Sequence, residues 1–226
     1  MPITTRSLVQ NTFWLLMMGV VLFTSAGDRS WPQAWVFLAE SAVSAGAIST
    51  WLARRDPALL RSRLSGFHAD QNPWDRVFMV GAFTALIPWL ALIGLDARRF
   101  GWSAVPLALQ VLGFVLIAGC MILVWLVFRT NSFAAPQVRL QAERGQTVIT
   151  GGPYRYVRHP MYSGALCYFL GVPLLLGSWW ALLPIPLFVA ALAARAVAEE
   201  SMLRRALPGY DTYTTQVRFR LLPWVW

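Results

Sequence analysis

Lysine is missing altogether from this chain, whose positive charge rests on nineteen arginines set against ten acidic residues. Charged side chains of every kind make up only 13% of the 226 residues while hydrophobic ones reach 57%, a balance too apolar for an ordinary soluble domain. The net charge of +9 is spread over four segments with no nucleic-acid-binding signature, so a nucleic-acid partner is not expected. Two cysteines, Cys120 and Cys167, both lie inside apolar runs. They exclude a disulfide framework, lack metal-ligand spacing and read as small buried hydrophobes, so no metal is expected. GxGxxG and Walker loops, low-complexity tracts and repeats of about 20–50 residues are absent as well, which removes the usual soluble nucleotide-binding folds.

Long apolar sequence is what the chain has in abundance. The runs are Leu8–Gly27, Trp35–Ala53, Val77–Leu95, Ala104–Phe128 and Met161–Ala198, the last divided near Gly177-Ser178. A helical span takes ~20 residues, so the pattern predicts an all-α, polytopic integral membrane protein of about six transmembrane helices. The first run is read as a retained span, not a cleaved signal peptide. With both termini on one side, sixteen of the nineteen arginines fall on that side and only Arg29, Arg98 and Arg99 on the other. The positive-inside rule then places both termini, and the loops Ala53–Arg76 and Arg129–Pro160, in the cytoplasm. The expected setting is a bacterial cytoplasmic membrane.

Polar chemistry is concentrated late, which divides the chain into N-terminal spans (1–128) and a C-terminal catalytic region (129–226) on the cytoplasmic side. Within the latter, VRLQAERGQTVIT predicts a short extended excursion or hairpin turning at Arg144-Gly145. Pro160 suits the first position of a helix, where its missing N–H is harmless. The start of that helix, with Arg158 and His159 before it, offers a seat for a carboxylate or phosphate, and Ser163 and Gly164 leave room for a ligand. Interfacial anchoring by the arginines and tyrosines, with Gly164 and Gly171 serving helix packing, explains the same residues. In ARAVAEESMLRR, Arg195 and Glu199 share one helix face and Glu200 and Arg204 another. These are either functional groups at a membrane boundary or two interfacial salt bridges. Glu40, a lone acid in the second span, is expected to make a buried hydrogen bond to a neighbouring helix.

Taken together, GPYRYVRHPMYSG, then Arg195-x-x-x-Glu199-Glu200-x-x-Leu203, LPGYDTY and the terminal RFRLLP resemble the isoprenylcysteine carboxyl methyltransferase family and the related membrane phospholipid methyltransferases. The resemblance runs from about Asn131 to Trp226 and rests on the joint pattern. It implies S-adenosylmethionine as cofactor, a pocket facing the cytoplasm, and a lipid or lipidated acceptor reaching it from the bilayer. The family's RHPxY element falls on Arg158, His159, Pro160, Met161 and Tyr162, with Tyr154 as a further cofactor contact. Gln141, Gln146, Thr147, Val148 and Ile149 resemble the segment preceding that motif. Glu199 matches an acidic cofactor contact, Arg195 the arginine set against substrate, and Glu200 completes the acidic pair. By that likeness Arg195, Glu199 and Glu200 form the catalytic group.

The implied reaction is methyl transfer to a carboxylate, which needs orientation by Arg195 but no base. A phospholipid amine acceptor would instead need Glu199 or Glu200 to take a proton. Membrane sterol reductases, which bind NADPH and also carry an RHPxY-like element, are the third possibility.

Overall fold

The computed structural model describes residues 1–67 and 71–226, so the predicted loop Ala53–Arg76 is described only in part. Prolines open several of the helices, each at a first-turn position that needs no N–H donor: Pro32, Pro57, Pro73 and Pro160. The helices are α1 (Ile3–Ala26), α2 (Pro32–Arg55), α3 (Pro57–Leu64), α4 (Pro73–Gly94), α5 (Leu107–Thr130), α6 (Pro160–Leu176), α7 (Ile185–Ala206) and α8 (Tyr210–Gln216). α4 continues as a π-wound turn, Leu95–Phe100, and a 3-10 turn, Trp180–Leu182, precedes α7.

Five of these segments are long and apolar enough to cross a membrane: Ile3–Ala26, Pro32–Arg55, Pro73–Phe100, Leu107–Thr130 and Trp180–Ala206. The sixth predicted span is α6, whose 17 residues make it shorter than the rest. Leu8, Phe13, Leu16, Val20, Val111 and Leu187 stay exposed on the flanks of the helices, as lipid-facing side chains do. The multi-pass, all-helical architecture read from the sequence is therefore what the chain adopts.

α5 and α6 approach most closely. A Cβ on Gly113 would lie 2.4 Å from Leu175 N and 2.6 Å from Gly171 O, and one on Gly171 would lie 2.8 Å from Gly113 O. Only glycine fits at either place, so the two backbones are in direct contact there. The packing role considered for Gly171 is realised. Gly164 also faces α5, with Cys120 Sγ 3.4 Å from where its Cβ would be, so it opens no space for a ligand.

Alternating helices collect the polar residues at two ends. At the arginine-rich end, Arg6 Nη2 donates to Leu64 O (2.9 Å) and Arg63 Nη1 to Ala134 O (2.8 Å). At the opposite end, Arg98 pairs with Asp28, and the buried Asp96 accepts from Ser103 Oγ (2.7 Å) and Ser178 Oγ (2.6 Å). Two sequence readings change here. The segment 138–150 turns at Arg144-Gly145, with Gly145 left-handed at φ 64°, and of the two readings, extended excursion or hairpin, the hairpin is replaced by irregular arms about a 3-10 turn. No strand pairing occurs among the described residues, because the two arms are spread along a cavity wall instead of against each other. Glu40 makes no hydrogen bond among the described residues, so the expected bond to a neighbouring helix is absent.

Candidate active site

The arginine-rich end holds a polar cavity between the start of α6, the end of α7, α8 and the segment between α5 and α6. Pro160 opens α6 as its sequence predicts, with His159 as the residue before the first turn. The entry angle is set by the C-terminal tail. Arg158 N and His159 N donate to Phe219 O and Arg220 O, each at 2.9 Å, a short backbone ladder that ties RHP to RFRLLP. Ser163 Oγ donates to Leu221 O at 2.5 Å, so this hydroxyl secures the tail and does not line the cavity.

Upstream, Gly152 takes φ 55° in a 3-10 turn, and a Cβ there would sit 2.5 Å from Thr130 Cγ2. That glycine lets Tyr154 fold back onto the end of α5, where its hydroxyl accepts from Asn131 Nδ2 at 2.7 Å. Tyr213 Oη donates to Tyr154 O at 2.8 Å, joining α8 to the same wall. Burial pushes the hydroxyls of Tyr154, Tyr210 and Tyr213 above the ordinary phenol range, so all three stay protonated and uncharged.

Of the residues singled out in the sequence, Gln146, Thr147, Val148, Ile149, Tyr154, Arg158, His159, Pro160, Met161, Tyr162, Arg195 and Glu199 all line this cavity. Glu199 accepts from Tyr162 Oη at 2.7 Å and lies 3.6 Å from His159 Nδ1. The His159 and Tyr162 rings stack with an interplanar angle of 3°.

Of the residues matched to the family's site, two do not line it. Gln141 is buried and braces the loop: its Nε2 donates to Phe133 O (2.8 Å) and its Oε1 accepts from Arg144 Nη1 (2.5 Å). Glu200 is turned away from the cavity and only 2% exposed. It accepts from Arg158 Nε (2.6 Å), Arg158 Nη2 (3.2 Å) and Arg220 Nε (3.2 Å), with His159 Nε2 at 3.2 Å. Arg158 also donates from Nη1 to Val217 O (2.7 Å) and Arg218 O (2.9 Å), so most of its donors hold Glu200 and the tail.

Neither predicted helix-face pair forms. Arg195 bonds Asp75, not Glu199, and Arg204 bonds Asp211, not Glu200. Helix spacing makes such pairs possible, but partners outside the helix compete for the same charges.

Three wall residues, Asn131, Phe133 and Gln137, carried no sequence signal of a site and lie in irregular chain where periodicity says nothing, whereas Tyr210 and Tyr213 stood in the LPGYDTY string without being singled out. Gln137 is buried, and its Oε1 has no hydrogen-bond partner among the described residues. Together the wall presents one carboxylate, three arginines (Arg139, Arg158 and Arg195), an imidazole, an amide oxygen in want of a donor, and five aromatic rings from Phe133, Tyr154, Tyr162, Tyr210 and Tyr213. This donor set fits a ligand that carries both signs of charge and a flat base. Among the described residues no group of His, Cys, Asp and Glu could hold a metal ion.

Residues 108–208 match the family model described as phospholipid methyltransferase. That family includes the isoprenylcysteine carboxyl methyltransferases, so the resemblance read from the motifs is borne out over this stretch. The match takes in almost all of α5, which lies upstream of the motifs, and stops before α8 and the tail. No curated protein matches the chain.

Proposed function

We propose, from a chain whose residues 108–208 carry the phospholipid methyltransferase pattern, that the cavity binds S-adenosylmethionine and directs methyl transfer to the carboxylate of a lipid or lipidated acceptor. The observation that carries this reading is that Glu199 and Arg195 stand on one cavity wall, one helical turn apart and not bonded to each other. Glu199 offers an anion toward the ammonium or hydroxyl groups of the cofactor. Arg195 offers a cation toward the acceptor. When bound, the cofactor supplies an activated methyl group.

The chain's own residues do the positioning, and positioning is where most of the acceleration of a displacement reaction comes from. Tyr162 fixes the Glu199 carboxylate through its hydroxyl, and His159 stacks on Tyr162 to hold that ring. Arg195 uses Nε and Nη2 on Asp75 and Pro136 O, while Nη1 donates to nothing among the described residues. Nη1 is thus the donor left to orient an acceptor carboxylate, which is already anionic and needs no base. The apolar flanks of the helices keep the acceptor's hydrocarbon part in the bilayer while its head group reaches the cavity at the membrane boundary.

A second reading, transfer to a phospholipid amine, is favoured by the description of the matched family. In that case Glu199 takes the proton, since it is the one carboxylate on the cavity wall among the described residues. Purified protein offered labelled S-adenosylmethionine or NADPH separates methyl transfer from reduction. Methyl incorporation into acidic and amine-bearing amphiphiles, compared between Arg195→Lys and Glu199→Gln, then separates the acceptors. A lysine variant near full activity would overturn the carboxylate reading, because lysine keeps the charge and loses the planar guanidinium grip.

A further inference from the structure

The guanidinium of Arg195 is set in place in part by Asp75 and Phe78, two residues outside the matched stretch. Asp75, in the first turn of α4, is fully buried at 0% exposure. Its Oδ1 accepts from Arg195 Nε at 2.9 Å and lies 2.8 Å from Nη2. Its Oδ2 accepts from Val138 N and Gln71 Nε2, both at 2.8 Å. One helical turn along α4, the Phe78 ring lies 4.8 Å from Arg195 Cζ, and the Tyr162 ring of α6 lies 5.5 Å from it. Pro136 O takes Nη2 at 2.6 Å. Every donor of Arg195 except Nη1 is thereby engaged by residues of α4 or of the loop that Asp75 also holds.

We propose that Asp75 is a positioning residue for the methyl acceptor, fixing the Nε and Nη2 edge of Arg195 so that Nη1 alone is presented to an anionic head group. The proposal rests on the carboxylate reading above and extends it to a residue 120 positions away in sequence. Three features go beyond a loop brace. The carboxylate fixes the Nε and Nη2 edge of Arg195, so an acceptor meets the arginine's charge through hydrogen bonds of fixed direction at Nη1. Two aromatic rings confine the guanidinium, which restricts the rotation that a long side chain otherwise keeps. The same carboxylate holds Val138 N on the cavity wall, so the arginine and the loop beside it move as one unit. The half of the chain that precedes the matched segment therefore supplies part of the acceptor site.

The test uses the full chain in lipid nanodiscs, with Asp75→Asn and Asp75→Glu compared against the parent. The probes are a prenylthio-carboxylic acid and its neutral methyl ester, with labelled S-adenosylmethionine binding measured in parallel. In the parent the acid should outcompete the ester. In Asp75→Asn that preference should fall by about tenfold, on the scale of one charge-assisted hydrogen bond, while cofactor affinity stays within about twofold. Asp75→Glu should recover part of the preference. An Asp75→Asn protein that keeps the preference overturns the proposal. Equal loss of cofactor and acid binding with a lowered thermal midpoint also overturns it, since the residue would then be scaffold only. A parent that does not distinguish acid from ester shows instead that the carboxylate reading itself has failed.

Discussion

Arg158 and Glu200 meet in a two-point grip inside the protein, Nε to Oε1 at 2.6 Å and Nη2 to Oε2 at 3.2 Å, with side chains 5% and 3% exposed. Arg158 belongs to the cavity wall while Glu200 lies behind it and draws Arg220 of the tail onto the same carboxylate. Glu200 thus acts on the site through Arg158, His159 and the tail. Leaving one buried charge without its partner costs ~3–5 kcal/mol. Glu200→Gln is expected to lower the thermal midpoint in detergent and to make the segment after Val217 sensitive to protease. An unchanged midpoint, with a large loss of rate and of the acidic limb of the pH–rate profile, would instead support a proton-acceptor role.

Glu199 is expected to behave differently from its neighbour. It lines the cavity and bonds only Tyr162 firmly, so Glu199→Gln should leave folding intact and weaken labelled S-adenosylmethionine binding by roughly tenfold or more, the scale of a lost charged hydrogen bond. Glu40→Gln, on α2 away from this cavity, should bind the cofactor as the parent does. Equal affinity in all three proteins would remove Glu199 from the site.

At the contact of α5 and α6 the obstacle to any side chain is backbone, which cannot rotate aside. Gly113→Ala should therefore destabilise by about 1–3 kcal/mol, the usual penalty for overpacking, whereas Gly119→Ala, on the same helix with nothing near its Cβ, should not. Thermal melting of both variants in one detergent checks this. A smaller loss at Gly113 than at Gly119 would contradict the close approach.

The sidedness of the protein can be read with an impermeant thiol reagent after Cys120 and Cys167 are replaced by alanine. Cysteines at the exposed positions Gly66 and Ala142, at the arginine-rich end, should react only after lysis, and one at Trp102 should react in intact cells. Reaction of all three in intact cells would reverse the assignment of the cytoplasmic face.

Periodicity and composition made the helices legible because every span carries a long apolar run and prolines mark several of the helix starts. The cavity was legible in part. Tyr154, His159, Tyr162 and Glu199 stood in motifs with fixed spacing, and such motifs survive translation into a wall. Asp75 was invisible for a physical reason: a single acid in the first turn of a helix satisfies the helix dipole, and nothing local marks a partner on another helix. The separate placement of Glu199 and Glu200 was not legible from their adjacency, because neighbours on a helix point about 100° apart, so one faces the cavity and the other the tail. Gln141 drew notice for its motif, but its role as a brace depends on Phe133 and Arg144, whose approach is a property of the folded loop.

The link between Asp75 and Arg195 also bears on how the protein is made. The two residues are 120 positions apart, so at ~5–20 residues per second the ribosome needs roughly 6–24 seconds to deliver the arginine after the aspartate has emerged. Through that interval a carboxylate destined for complete burial has no counter-ion, and the first turn of α4 must wait at the water boundary of the bilayer. Seating of α4 and completion of α7 are then one event in biogenesis, and a nascent chain halted before Arg195 should expose Asp75 to solvent.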